Sequence, residues 1–257
     1  MKPLFISPEV PMRSPSDPAD VKFVRRVGTI TLHGDWMSEG GVERATLFAQ
    51  EHAVDVAIKF ELPVNKWEVK LAKDTTQKEI DELIIFMSYK VLWFQSVART
   101  NIKYFQLECE YFRKNGDDPA AITALLQQFN DACLKHSPGS RTIWSLRNPR
   151  TLGFGCGDIE RTDYGTPSLY NFKDLNDTYK ELIDAHEMYG DLWPFVSFAW
   201  TKGEGDWAEP DLERVQAVGG MMQALDFVKG ICMWKGALTP PPLWPEHFDA
   251  FMKGYHG

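Results

Sequence analysis

The sequence has little of what marks several large protein classes. Its four cysteines, Cys109, Cys133, Cys156 and Cys232, are scattered with no CxxC or CxxxC spacing. That excludes a disulfide scaffold and a cysteine-framed zinc site. Cys109 and Cys232 fall in strand-like stretches and Cys133 in a helical one, as buried free thiols do. Only Cys156, in Gly153-Phe154-Gly155-Cys156-Gly157, is placed as a nucleophile would be. No apolar run approaches the ~20 residues of a membrane span, so no membrane partner is expected. Positive charge is in deficit: 28 Lys and Arg against 36 Asp and Glu give a net charge of -8. A nucleic-acid surface wants a basic stripe, so no nucleic-acid partner is expected either. Met1–Ser7 is broken by Pro8 too early for a signal peptide, which makes cytoplasmic synthesis the expectation and leaves the final site open. HExxH, the P-loop, GxSxG and a GxGxxG after the first strand are all absent, and no cofactor or resident metal is implied.

What is present is a soluble-protein composition, 44% hydrophobic and 25% charged over 257 residues. Strand-like and helix-like stretches alternate. Leu4–Ser7, Thr29–His33, Val54–Phe60, the run beginning at Ile102, Thr142–Leu146, Trp193–Trp200 and Gly230–Trp234 read as strands. Helical patterns fill residues 19–26, Val42–His52, Thr76–Ala98, the stretch from Asp118-Pro119 to Ser137-Pro138-Gly139, residues 173–189, residues 211–227 and a short segment after Pro245. Within Thr76–Ala98, apolar residues at Ile80, Leu83, Ile84, Met87, Val91 and Phe94 keep helical spacing. No linker, composition break or internal repeat divides the chain, so residues 1–257 read as one domain. Repeated β-then-α units imply a parallel sheet, and the chain is too long for a five-stranded doubly wound fold. The fold class is therefore α/β, a single (β/α)8-like (TIM) barrel. Seven strands are clear. The eighth lies in Thr151–Cys156, or the barrel is irregular.

The fourth strand carries the strongest chemical signal. In Ile102-Lys103-Tyr104-Phe105-Gln106-Leu107-Glu108-Cys109-Glu110-Tyr111-Phe112, alternation sets Phe105, Leu107 and Cys109 on one face. Gln106, Glu108 and Glu110 line the other. Carboxylates two residues apart on a strand stand roughly 6.6 Å apart at Cα. Like charges that close resist ionising together, so one pKa rises, as a general acid requires. The bland alternative is a solvated edge strand with one polar face.

A (β/α) barrel carries its active site at the C-terminal ends of its strands. Those ends hold Glu9, His33, Asp35, Trp36, Glu61, Glu108, Glu110, Arg147, Asn148, Trp200, Lys202, Glu204, Asp206, Trp234 and Lys235. A long Gly-rich loop from Arg147 to about Asn171 adds Asp158, Glu160, Asp163 and Tyr164. Nine tryptophans are many for this length, and Trp36, Trp200, Trp207 and Trp234 fall at or just beyond strand ends. An indole offers an apolar face to the C–H face of a pyranose and an N–H to a hydroxyl. The alternative for Trp144, Trp193 and Trp234 is packing between layers.

Gln106-Leu107-Glu108-Cys109-Glu110-Tyr111-Phe112 resembles the fourth-strand signature of family 18 glycoside hydrolases, DxxDxDxE followed by Tyr. The resemblance implies Glu110 as general acid, Glu108 as the carboxylate before it, and Tyr111 as the following tyrosine. Lys103 and Gln106 stand where that family has its first two aspartates. Gly230-Ile231-Cys232-Met233-Trp234 is similar to the family's Trp-ending last strand, whose indole floors a sugar subsite. In that group the acid protonates the glycosidic oxygen, and the neighbouring carboxylate orients the substrate's 2-acetamido group for attack on the anomeric carbon.

Two-carboxylate hydrolysis stays open, with Glu204 of Gly203-Glu204-Gly205 as second carboxylate and a solvated loop charge as its plain alternative. The expectation is a glycosidase acting on a carbohydrate, with Glu110, Glu108 and Glu204 as catalytic candidates. Trp36, Asp35, Trp200, Trp234, Arg147 and Tyr164 are the substrate-binding candidates. Two other classes remain: a divalent-metal barrel using His33, Asp35, Glu61, Glu108 and Glu110, and a non-catalytic sugar-binding barrel. The sugar, the linkage, the stereochemical outcome and the oligomeric state are not legible.

Overall fold

The computed structural model describes residues 4–7, 28–34, 38–61, 70–71, 74–108, 112–113, 119–145, 162–166, 168–169, 174–196, 211–234 and 245–257. In chain order these form β1 (Leu4–Ser7), β2 (Thr29–His33), α1 (Glu39–Glu51), β3 (Asp55–Glu61), β4 (Lys70–Leu71), α2 (Gln77–Val97), β5 (Ile102–Glu108) and β6 (Phe112–Arg113). There follow α3 (Pro119–His136), β7 (Arg141–Ser145), β8 (Thr162–Thr166), β9 (Ser168–Leu169), α4 (Leu175–Tyr189), β10 (Phe195–Val196), α5 (Leu212–Ala224), β11 (Ile231–Trp234) and α6 (Pro245–His256).

The strands are parallel and close on themselves. One ladder runs β2-β3-β5-β7-β8, and a second runs β9-β10-β11-β1. β8 and β9 follow one another in the chain with a single residue between them and share one strand position. At the other junction β1 lies against β2. Eight strand positions thus make the ring of a (β/α)8 barrel. The eighth strand position is taken by Thr162–Thr166 and Ser168–Leu169, inside the stretch read as a long loop, and the expected place for it, Thr151–Cys156, lies outside the described residues. The expected helix over residues 19–26 and the strand residues 197–200 lie outside the described residues.

Local chemistry explains the helix starts. Ser38 caps α1, its side chain accepting from the Gly41 amide at 3.2 Å. Thr76 and Glu79 form a reciprocal capping box on α2. Asp174 and Asp211 cap α4 and α5. Gly190 then ends α4 at φ 75, a conformation that suits a residue without Cβ.

Burial divides into two clusters. Ile30, Leu32, Val56, Ile58, Phe60 and Phe105 from the first ladder pack on Val42, Phe48, Met87, Val91, Phe94 and Phe129 from α1, α2 and α3. The Phe60 ring stacks on Phe105 at 6.1 Å between centroids. Each such ring removed from water stabilises by roughly 1.5–3 kcal/mol. Val196 and Ile231 from the second ladder pack on Leu182, Val215, Val218, Met222, Phe248, Phe251 and Tyr255 from α4, α5 and α6. Gly219 of α5 lies so close to α6 that a Cβ there would sit 2.2 Å from the Phe251 carbonyl oxygen.

The C-terminal end of the barrel as candidate active site

Alternation along β3 and β5 sends Val56, Ile58, Phe60 and Phe105 to the helices, as their shared cluster shows. The residues between them belong to the barrel interior. β5 is central, paired with β3 on one side and β7 on the other, so it is not a solvated edge strand. Gln106 is 1% exposed and Lys59, its register partner on β3, is 3% exposed.

Three register rows climb the interior of the first ladder. The lowest joins Thr31, Ala57, Tyr104 and Arg141. The middle row joins His33, Lys59, Gln106, Ile143 and Tyr164. The upper row, at the C-terminal strand ends, joins Glu61, Glu108, Ser145 and Thr166. Adjacent strands lie about 4.8 Å apart, so Glu61 and Glu108 are in-register neighbours at the end where barrels carry chemistry.

Beyond the strand ends, β4 and β6 pair in parallel, Lys70 with Phe112 and Leu71 with Arg113. The connections leaving β3 and β5 are thereby tied together, and the chain passes from Glu108 to Phe112 in four residues. That span contains Glu110.

The opposite end is closed by packing. Trp193 is 1% exposed and meets the Tyr104 ring edge-on at 5.5 Å between centroids. A Cβ on Gly230 would fall 2.1 Å from the Trp193 ring, so only glycine fits beneath this indole. Trp193 is therefore interlayer packing. Burial pushes the Tyr104 phenol up, against the opposing effect of the neighbouring Lys103. Lys103 sits where the ladder between β3 and β5 is irregular, and its ammonium bonds Asp55 at 2.7 Å. That hydrogen bond raises its pKa. Lys103 thus serves the N-terminal end of the strand.

The buried interior is not fully satisfied. Gln106 Nε2 and Thr31 Oγ1 are enclosed and have no hydrogen-bond partner among the described residues. Unpaired buried donors of this kind point to a water, an ion or a ligand group.

The structure places three of the expected site residues on strands. Glu108 ends β5, Trp234 ends β11 opposite Ser7, and Tyr164 lies in β8 opposite Ile143. For Tyr164 this corrects the expected loop position. Asp35, Trp36, Glu110, Arg147, Trp200 and Glu204 lie outside the described residues, as do Cys156, Asp206 and Trp207. No group of three His, Cys, Asp or Glu suited to a metal occurs among the described residues. Lys59 was not singled out by sequence. Its signal is alternation: in Val56-Ala57-Ile58-Lys59-Phe60 it occupies the face opposite the apolar one.

No protein-family model matches the sequence, and no curated protein matches it. Solved structures do share its fold. The spore cortex-lytic enzyme SleL of Bacillus cereus gives a TM-score of 0.63 at 9% identity, over 99% of this chain and 75% of that one. The GH10 xylanase of Thermobacillus composti gives 0.58 at 10% identity, over 98% and 96%. The beta-glucuronidase of Parabacteroides merdae gives 0.54 at 14% identity, over 84% of this chain. The chain spans 28% of that enzyme's length. These likenesses show a (β/α)8 barrel. They are spread over several kinds of glycosidase barrel and do not single out family 18.

Proposed function

We propose that this chain is a glycoside hydrolase with Glu110 as proton donor and Glu108 as its electrostatic partner. The observation that carries the reading is the position of Glu108. It ends the fourth strand of the ring in register with Glu61, at the end of the barrel where the connecting loops assemble active sites. The likeness in fold to a xylanase, a beta-glucuronidase and a cortex-lytic enzyme supports the same reading.

In this mechanism the Glu110 carboxyl passes its proton to the glycosidic oxygen as the bond from that oxygen to the anomeric carbon breaks. The electron pair of that bond stays with the leaving alcohol. The anomeric carbon is then met by the substrate's own 2-acetamido oxygen, oriented by Glu108, or by a second carboxylate, for which Glu204 is the candidate; water then displaces that oxygen from the anomeric carbon and returns a proton to Glu110. Trp200 and Trp234 hold the sugar ring, Trp36 extends the platform, and Asp35, Arg147 and Tyr164 bond its hydroxyls.

The test is a screen of polysaccharides and glycans for new reducing ends, comparing wild type with Glu110→Gln. Loss of at least ~100-fold in kcat with folding and oligosaccharide binding retained is expected, the scale of general acid catalysis. Full activity in the variant refutes the assignment. Loss of wild-type activity to a chelator, with recovery on adding a divalent ion, replaces it with the metal-dependent class. Saturable glycan binding without reducing-end release replaces it with a sugar-binding barrel.

A further inference from the structure

α2 has more apolar residues than its place in the barrel uses. Its core face is Ile80, Met87, Val91 and Phe94, all buried in the first cluster. The opposite face of a surface helix is ordinarily polar. Here Ile85, Tyr89 and Leu92 stand there, 68%, 64% and 50% exposed. Spaced i, i+4 and i+7, they form a single stripe along the helix. The neighbours of Tyr89 three and four residues away are Ile85, Phe86, Leu92 and Trp93, and all four are apolar. α1, by contrast, turns out Arg44, Gln50 and Glu51 beside its one exposed Leu47. Between Leu83 and Phe94 the one charged residue is Lys90, whose ammonium lies 5.7 Å from the Phe86 ring centroid and 5.3 Å from that of Trp93. That charge sits over two rings at the flank and leaves the stripe itself uncharged.

The area is of the size an interface needs. At those exposures the three residues leave roughly 350 Å² open on each copy of the chain, with about 200 Å² as the full area of a side chain this large. Two copies facing one another would cover roughly 700 Å², near half of a stable interface, and the flanks and a polar rim supply the rest. The stripe is also self-complementary. In an antiparallel two-fold pairing, Ile85 meets Leu92 of the second copy, Leu92 meets its Ile85, and Tyr89 lies beside the axis. The charges agree with that direction. The first turns of α2 hold Glu79, Asp81 and Glu82 against Lys78, and the exposed Arg99 stands just past its end. Antiparallel pairing brings the acidic start of each helix toward the Arg99 end of the other, and the helix dipoles favour the same sense. A lipid surface suits this face poorly, because helices that lie on membranes carry Lys and Arg along their polar face and this chain has a net charge of -8.

We infer that the outer face of α2 seats a second copy of this chain, α2 against α2, antiparallel about a two-fold axis near Tyr89. Ile85, Tyr89 and Leu92 form the apolar centre of that interface, and Phe86 and Trp93 flank it. The inference is independent of the chemistry at the strand ends, because α2 lies outside the ring of strands.

Analytical ultracentrifugation of the full chain from about 1 to about 300 μM tests it. Wild type should sediment at twice the chain mass in the upper part of that range. Tyr89→Glu puts two carboxylates beside the axis and should weaken association at least ~100-fold, whereas Tyr89→Phe should stay within about threefold of wild type. Oxidative cross-linking is the second measurement. Beside a two-fold axis, Tyr89→Cys should join its own copy well above the wild-type background, and Tyr179→Cys on α4, 46% exposed, should not. A wild-type monomer across the whole range overturns the inference, and so does a dimer that Tyr89→Glu leaves intact. A monomer that co-sediments with phosphatidylcholine vesicles, and stops doing so in Tyr89→Glu, puts a lipid surface in place of the second copy. Circular dichroism checks folding. If Tyr89→Glu does not fold, a wild-type dimer without the Tyr89→Cys cross-link overturns the inference, and one with it supports it.

Discussion

Substituting two adjacent glycines should move stability in opposite directions. A Cβ on Gly219 would lie 2.2 Å from the Phe251 carbonyl oxygen and 3.0 Å from the Tyr255 amide nitrogen. Both are backbone atoms of α6, so no rotamer change relieves the overlap. Withdrawing α6 by about 1 Å would loosen the packing of Phe248, Phe251, Met252 and Tyr255, all buried in the second cluster. Overpacking costs about 1–3 kcal/mol, and the backbone obstacle puts this case at the upper end. Helix propensity returns about 0.8–1 kcal/mol, leaving a net loss of about 2 kcal/mol for Gly219→Ala. At Gly220 the added Cβ lies 3.6 Å from the Gly254 carbonyl oxygen, an ordinary contact. There only the propensity gain remains, so Gly220→Ala should stabilise by up to about 1 kcal/mol. Urea unfolding followed by circular dichroism at constant m should separate the variants by about 3 kcal/mol. In thermal melts Gly219→Ala should fall by about 4–8 °C. A Gly219→Ala protein as stable as wild type, or a Gly220→Ala protein that loses as much as its neighbour, refutes the argument.

The floor of the barrel gives a second prediction: Trp193→Ala should cost about 3–5 kcal/mol, seen as a lowered urea midpoint. Gly230→Ala, whose Cβ would meet the indole at 2.1 Å, should cost about 1–3 kcal/mol, and melting unchanged from wild type would contradict it. The third concerns alkaline pH. Burial raises the phenols of Tyr104 and Tyr255, so the unfolded chain ionises first, near pH 10. Their contribution to stability is complete below about pH 10 and is lost as pH climbs through the folded-state values. Urea midpoints measured from pH 8 to 11 should fall at the alkaline end and fall less in Tyr104→Phe and Tyr255→Phe; equal slopes in all three proteins would sink this assignment.

The barrel was legible because its strands alternate cleanly or run apolar. Thr29–His33 is found with the bounds read from sequence, and α2 differs from its expected span by one residue at each end. The eighth strand was hidden for a physical reason. Thr162-Asp163-Tyr164-Gly165-Thr166-Pro167-Ser168-Leu169 is polar and holds a glycine and a proline, so it reads as loop. Only closure of the ring between β7 and β10 recruits it as strand. The site was half legible. The polar face of Ile102–Glu108 was readable from alternation, and Gln106 lies buried on it. The partner row was not, because register between β3 and β5 is fixed by long-range pairing with an irregularity at Val56 and Ala57. No local pattern near Lys59 reports that Gln106 is its neighbour.

The division of the ring into two ladders has one more consequence. Each of the two ladders carries its own hydrophobic cluster, and among the described residues no registered pairing joins β1 to β2. The molecule is in this sense a clasp of two shells, with one shared passage of chain at Thr162–Leu169. Glu61 and Glu108 belong to the first shell and Trp234 to the second. Under the proposed function, a sugar spanning the strand ends of both ladders would rivet one shell to the other. Ligand binding there would then be felt as cooperativity of unfolding, merging the two units into one.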